Sequence, residues 1–125
     1  MAQRTRELVY EAIGFIEGAL RIAEELLVFH STGYVDPVLE TQLLNVMRRG
    51  LDRAADKLNK VAEHAKGMRD AIDALTKRIN QVHTTLPEHP ADLTEARLRD
   101  TKEKLTLIVQ ATEEILLNSK LAKHP

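Results

Sequence analysis

The stretch Ala62–Asp70 (AEHAKGMRD) decides how many helices the chain forms, because it places a glycine inside a long apolar repeat. Apolar residues on both sides of this glycine, Gly67, recur at alternating spacings of three and four. They are Leu44, Met47, Leu51, Ala54, Leu58, Val61, Ala65, Met68, Ile72, Leu75, Ile79 and Val82. This 3.5-residue repeat is typical of coiled-coil packing, and it resumes in phase after the glycine. It predicts one long continuous helix, although it does not decide whether that helix is kinked at Gly67.

Turn signals bound this helix on both sides. Gly33 suits the left-handed position just past a helix end, and Asp36 followed by Pro37 has the pattern of an N-cap with proline at the first helical position. Further along, two prolines stop the helix, and Asp92 with a glutamate three residues later fits a capping box. The predicted helices are therefore about 4–30, 37–84 and 92–121.

The composition sets the class of protein. A chain of 125 residues is one domain's worth, and aromatic residues make up only 3% of it, so the core must be aliphatic. The net charge of −1 shows none of the basic excess that nucleic-acid binders carry. The longest apolar run, Leu26–Phe29, is far shorter than the ~20 residues that span a bilayer. We expect a cytoplasmic protein that binds neither nucleic acid nor membrane.

The predicted helix lengths favour self-association. Short connections make neighbouring helices antiparallel. The outer helices would be about 42 Å long against about 72 Å for the central one, so each covers only part of it. We predict an all-α fold of three antiparallel helices around a long coiled-coil-like helix, with the bundle completed by homo-oligomerisation. The interface residues predicted for this oligomer are Gly14, Ile16, Gly18, Leu20, Ala55, Ala62 and Met68.

The sequence offers little that resembles active-site chemistry. In the histidine phosphotransfer domain, lysine and glycine follow the phosphorylated histidine at the third and fourth positions. Here Lys66 and Gly67 follow His64 at the second and third, which rotates both off the histidine's helix face, and we expect a partly buried packing histidine. There is no cysteine, no glycine-flanked serine, no glycine-rich phosphate loop and no helical pair of metal ligands. We predict no catalytic residue, metal or cofactor.

Two functions remain. The first is a non-enzymatic homo-oligomer that also binds another protein, as an adaptor, inhibitor or chaperone, which is an argument from class rather than from a site. The alternative is an oligomer that binds a small anionic ligand, such as a nucleotide, between subunits. The residues predicted to contact that anion are Arg21, Arg48, Arg49 and Arg53, beside Gly14 and Gly18.

Overall fold

The computed structural model describes residues 3–122, and describes side chains for residues 3–118. The described chain is all-helical and has no strand, which confirms the predicted fold class. It forms four helices: α1 (Gln3–Thr32), α2 (Pro37–His64), α3 (Arg69–Thr85) and α4 (Glu95–Ala122). Single 3₁₀ turns, Lys66–Met68 and Pro90–Asp92, precede α3 and α4.

Contacts between α1 and α2 show that these helices run antiparallel. Lys57 Nζ lies 3.2 Å from a carboxylate oxygen of Glu11. Phe15 lies one turn after Glu11 on α1, and Gly50 lies about two turns before Lys57 on α2. A Cβ added at Gly50 would lie 3.4 Å from the carbonyl oxygen of Phe15. Later residues of one helix thus meet earlier residues of the other, as expected for helices joined by a short turn.

The remaining helix pairs complete a four-helix ring. His83 Nε2 lies 3.3 Å from Asp52 Oδ1, and Arg48 donates a hydrogen bond to the carbonyl of Pro87, so α3 folds back antiparallel along α2. α4 packs against both α3 and α1. Among the residues that the structure describes, close backbone approaches join only helices that are neighbours in this ring. The chain is therefore an up-down-up-down bundle in which each helix has two neighbours.

The prediction of one continuous helix through Gly67 is wrong. α2 ends at His64, and Ala65 leaves the helical region with φ −129° and ψ 78°. The apolar repeat stays in phase across this break because α2 and α3 both bury their apolar stripes in the same core, where Leu58 and Ile72 are fully buried. The repeat therefore reports which residues are buried, not whether the helix continues. Folding back covers both stripes within one chain, which a straight helix could not do.

The predicted start of α4 is also wrong. Asp92 belongs to the 3₁₀ turn, and the helix begins at Glu95. Thr94 replaces Asp92 as the cap, since its hydroxyl accepts a hydrogen bond from the backbone N–H of Arg97 at 3.1 Å. Leu93 is buried just before this cap, and the backbone there is extended, so the helix cannot begin earlier.

The closed ring removes the reason for which oligomerisation was predicted. Ile16 is 0% exposed within a single chain, and Ala55 and Ala62 are buried as well. The core is aliphatic, as the composition predicts, and its buried residues from all four helices form one cluster. The expectation that much of this apolar surface stays uncovered in one chain is wrong, because α3 and α4 cover what the three-helix arrangement left open.

Candidate functional site

Four of the residues predicted from the sequence come together in a groove between α1 and α2, called the α1–α2 groove below. Gly14 and Gly18 lie on its α1 side, and Arg49 and Arg53 on its α2 side. The groove has a volume of about 360 Å³. Its remaining lining residues are Phe15, Ala19, Ile22, Val46 and Gly50.

Glycines give this groove its shape. A Cβ added at Gly14 or Gly18 would meet nothing within 4 Å, so the α1 backbone faces open space at both positions. At Gly50 the helices are much closer, since an added Cβ would lie 3.4 Å from the Phe15 carbonyl oxygen. That distance is an ordinary van der Waals contact, so the helices pack closely at Gly50, and the missing side chains at Gly14 and Gly18 leave the groove shallow.

The α1–α2 groove carries positive charge without a compensating acid. The guanidinium of Arg53 lies 5.9 Å from the ring centroid of Phe15, which is a cation–π distance. No carboxylate lines the groove, and within residues 3–118 none forms an ion pair with Arg49 or Arg53. The nearby Glu11 is engaged by Lys57, whose hydrogen bond lowers the pKa of that carboxyl from its ordinary value.

The other two predicted arginines do not join this groove. Arg48 lies one residue, and so about 100°, around α2 from Arg49 and points toward α3. It donates hydrogen bonds to the carbonyl oxygen of Pro87 and to Asn45 Oδ1, the latter at 3.0 Å. Arg21 is exposed on α1 and does not line the groove. Arg48 therefore stabilises the bundle, and the predicted anion site retains two of its four arginines.

A second surface lies between α1 and α4 and shares Gly14 with the α1–α2 groove. We define the α1–α4 face by its apolar residues: Tyr10, Ile13, Leu20, Leu27, Leu107, Leu116 and Leu117. One groove of about 450 Å³ lies at its Tyr10 end and includes Glu17 and Glu113. Another, of about 350 Å³, lies between Leu27 and Leu107. The sequence shows that Leu107 and Leu117 do not follow the core stripe of α4, but it does not show that they lie beside α1.

Among the described side chains, three of the eight large exposed apolar residues lie on this face, and the other five lie late in α1, in the α1–α2 turn and on α2. Tyr10 is 52% exposed, Leu107 47% and Leu117 57%. Leu20 is half-buried against the core, and it lies seven residues from both Ile13 and Leu27, which places it on the same side of α1. Large apolar side chains thus extend along two neighbouring helices.

The residues predicted as an oligomer interface do not share one surface. Gly14 and Gly18 are exposed, and Leu20 lies on the α1–α4 face. Met68 is half-buried at the junction of α2 and α3. The other three, Ile16, Ala55 and Ala62, are buried inside the chain and present no surface to a second copy. The sequence places Leu121, like Leu107 and Leu117, off the core stripe of α4, but Leu121 lies outside the residues with described side chains.

A third cavity, of about 410 Å³, lies at the end of the bundle where α1 meets α2, and its polar groups serve the helix cap. Glu40 is buried there, and its carboxylate accepts a hydrogen bond from the backbone N–H of Asp36 at 3.1 Å. The hydroxyl of Tyr34 donates to Asp36 Oδ2 at 3.2 Å, and this bond raises the pKa of Tyr34. These interactions fix the turn between α1 and α2 and leave few groups for a ligand.

The described side chains form no cluster of metal ligands, and His64 does not have the environment that was expected. Within residues 3–118, no three His, Asp or Glu side chains lie together so that they could hold a metal ion. His64 is exposed at the last position of α2, rather than partly buried as expected, because the helix ends there. Nor does any helix among residues 3–122 combine the length and apolar character that crossing a bilayer requires.

Comparison with known proteins adds no relative. No protein-family model, no curated protein and no solved structure matches the chain. Its function has to be argued from the two surfaces that flank α1.

Proposed function

We propose that this protein is a non-enzymatic binding module that docks amphipathic helices, a second copy of itself among them, on the α1–α4 face. The supporting observation is the half-exposed state of Tyr10, Leu107 and Leu117 on two adjacent helices. Contiguous exposed apolar residues on a soluble protein commonly mark an interaction surface. An adaptor, an inhibitor or a chaperone would use such a surface without catalysis.

The shape of the face favours a helix as its occupant. Ile13, Leu20 and Leu27 repeat every seven residues along α1, and the two grooves run between α1 and the antiparallel α4. Their span along the helix is about 21 Å, which matches four turns of a partner helix. An amphipathic helix would place its apolar residues between these ridges, which is a common mode of peptide recognition.

A second copy of the chain is the simplest partner, since symmetric homo-oligomers are common. The α1–α4 face is present in every copy, so a two-fold axis through it would bury the same residues twice. The core of each chain is already closed. We therefore expect a reversible assembly of folded chains, and not the obligate oligomer that an uncovered core would require.

The mass in solution tests this proposal. Light scattering coupled to gel filtration, over a range of concentrations, should give a mass that rises toward a multiple of the 14.1 kDa chain. The double variant Leu107→Glu/Leu117→Glu should remain at the chain mass, because it charges both ends of the face. Both residues are exposed, so circular dichroism should show an unchanged helical fold.

Val35→Glu/Val38→Glu is the matched control, because it adds the same two charges. Val35 is 76% exposed in the α1–α2 turn and Val38 is 70% exposed on α2, away from the α1–α4 face, so the assembly should stay intact. Equal dissociation by the control and by the double variant would contradict the assignment of the face. A wild-type chain that remains monomeric at millimolar concentration would remove the second copy as a partner.

A further inference from the structure

We infer that the α1–α2 groove binds a small organic anion, in which a phosphate or carboxylate is attached to a flat apolar body. This site goes beyond the proposed function, because it lies between α1 and α2 and shares only Gly14 with the grooves of the α1–α4 face. It is formed within one chain, so it does not depend on self-association.

The anionic group would bind between Arg49 and Arg53. These residues are four apart on α2, so their side chains leave the same face of the helix one turn apart. Within residues 3–118 neither guanidinium has an ion-pair partner, and both line the groove. Guanidinium groups present paired N–H donors that match the oxygens of a phosphate or carboxylate.

The cation–π contact fixes part of this arrangement before a ligand binds. The Arg53 guanidinium lies over the Phe15 ring at 5.9 Å from its centroid. The aromatic ring supports the charge without neutralising it, so the N–H groups at the guanidinium edge stay available for an anion. A held arginine also loses less conformational freedom on binding than a free one.

The apolar body would lie on the floor of the groove. Gly14 and Gly18 leave the α1 backbone uncovered there, while Ile22 and Val46 form an apolar wall. A flat group can approach glycine backbone closely, whereas a branched one would leave gaps. The volume of about 360 Å³ is at the small end of the usual range for ligand sites, which suits a compact molecule.

Charge separates this groove from the other cavities of the bundle. The cavity at the α1–α2 turn includes Glu40, and the two grooves of the α1–α4 face include Glu103 or the pair Glu17 and Glu113. Only the α1–α2 groove, among these four, has cationic residues and no acid in its lining. The cations that line the α1–α4 face, Arg99 and Lys102, already form ion pairs with Glu95 and Glu24, unlike Arg49 and Arg53.

Titrations followed by ¹⁵N NMR test this site on the intact chain. Phenyl phosphate should shift the amide signals of Gly14, Gly18 and Gly50, and benzoate in a parallel titration shows whether a carboxylate serves as well. Inorganic phosphate lacks the apolar body and benzyl alcohol lacks the charge, so each should bind at least about tenfold more weakly than the better of the two anions. Equal affinity for benzyl alcohol would overturn the inference.

Variants locate the site. Arg49→Gln and Arg53→Gln should each weaken binding of phenyl phosphate about three- to tenfold, which is the effect of one partly exposed charged hydrogen bond. Gly18→Leu leaves the charge unchanged and should abolish binding, because the leucine side chain would occupy the space on the floor of the groove that is open in the wild type. It also places a better helix former in α1, so the fold should persist.

Arg99→Gln is the control, because Arg99 lines the α1–α4 face and carries the same charge. It should bind phenyl phosphate as the wild type does. Equal weakening by Arg99→Gln and Arg49→Gln would show that only the net charge matters and would overturn the site. So would the absence of saturable binding of both phenyl phosphate and benzoate to the wild-type chain.

Discussion

The first and second turns of the bundle reverse the chain by different means. Between α1 and α2, Gly33 adopts a left-handed conformation with φ 72°. Asp36 then caps α2 by accepting a hydrogen bond from the backbone N–H of Leu39 at 3.1 Å, and Pro37 occupies the first helical turn. The residues of the turn itself therefore specify this reversal.

Between α2 and α3 these devices are missing. No side chain caps the 3₁₀ turn Lys66–Met68 or the start of α3. Gly67 does not adopt a positive φ, since Gly33 is the one glycine with that conformation in the described chain. The reversal here follows from burial of the two helices on either side. A turn can therefore be specified either by local hydrogen bonds or by the core that it allows to form.

Removing core volume beside the second turn should have the largest effect. Ile72 is fully buried in the first turns of α3. We expect Ile72→Ala to lower the free energy of unfolding by about 2–5 kcal/mol, through lost burial and the cavity that it leaves. Urea denaturation measures this loss. Lys77→Ala, at an exposed position of the same helix, is the control and should change it by less than about 0.5 kcal/mol.

The two turn glycines should respond to alanine with opposite signs. Gly33→Ala places a Cβ in the left-handed region and should destabilise the chain by about 1–2 kcal/mol. Gly67→Ala meets nothing within 4 Å at an ordinary φ, so it should stabilise by about 0.4–1 kcal/mol through the unfolded state. Thermal unfolding of both variants measures this difference. Destabilisation by Gly67→Ala would contradict the contrast between the turns.

Loss of the Asp36 cap should have a smaller effect than loss of core volume. Asp36→Ala removes the acceptor for the Leu39 N–H and should cost about 1 kcal/mol in unfolding free energy. Asp36→Asn keeps a side-chain oxygen at the same place and should stay close to the wild type. If both variants lost equal stability in urea, the charge of Asp36 and not its cap would be responsible.

The smallest expected effect is a change in the pKa of Tyr34. Its hydroxyl donates to Asp36, and this hydrogen bond raises the pKa of Tyr34 above its ordinary value. A raised pKa contributes stability that is present below the unfolded-state pKa and is lost as the pH rises through the folded-state pKa. In a Tyr10→Phe background, Tyr34 is the only tyrosine, so absorbance reports its titration alone. Asp36→Asn should lower its midpoint, and an unchanged midpoint would contradict the assigned cause.

The contrast also shows which parts of the fold were predictable. The first turn was located from Gly33, Asp36 and Pro37, because each of these residues has a local conformational preference. The second turn was missed because neither Ala65 nor Gly67 has a local preference strong enough to distinguish a turn from a continuing helix. The 3.5-residue repeat then favoured the wrong alternative, because it records burial in a core that only the tertiary fold defines.

The residues of the candidate sites also differ in how far the sequence could predict them. Gly14, Gly18, Arg49 and Arg53 were assigned, with two further arginines, to a site between subunits. The antiparallel pairing of α1 with α2 instead brings these four together within one chain. Gly50 and Phe15 were missed because their roles depend on how closely the two helices approach. The α1–α4 face needed the position of α4 beside α1, which joins distant parts of the sequence.

That distant pairing has a consequence for the order of folding. Three of the four helix pairs are neighbours in sequence, whereas α1 and α4 are separated along the chain by the two intervening helices. Local hairpins form rapidly, and closing a long loop costs more entropy than closing a short one. We expect α4 to dock last, so that Ile13 and Leu20 stay accessible until then. Pulsed hydrogen exchange during refolding should protect the amides of α2 before those of α4, and any partner that arrives early could occupy the place of α4 on α1.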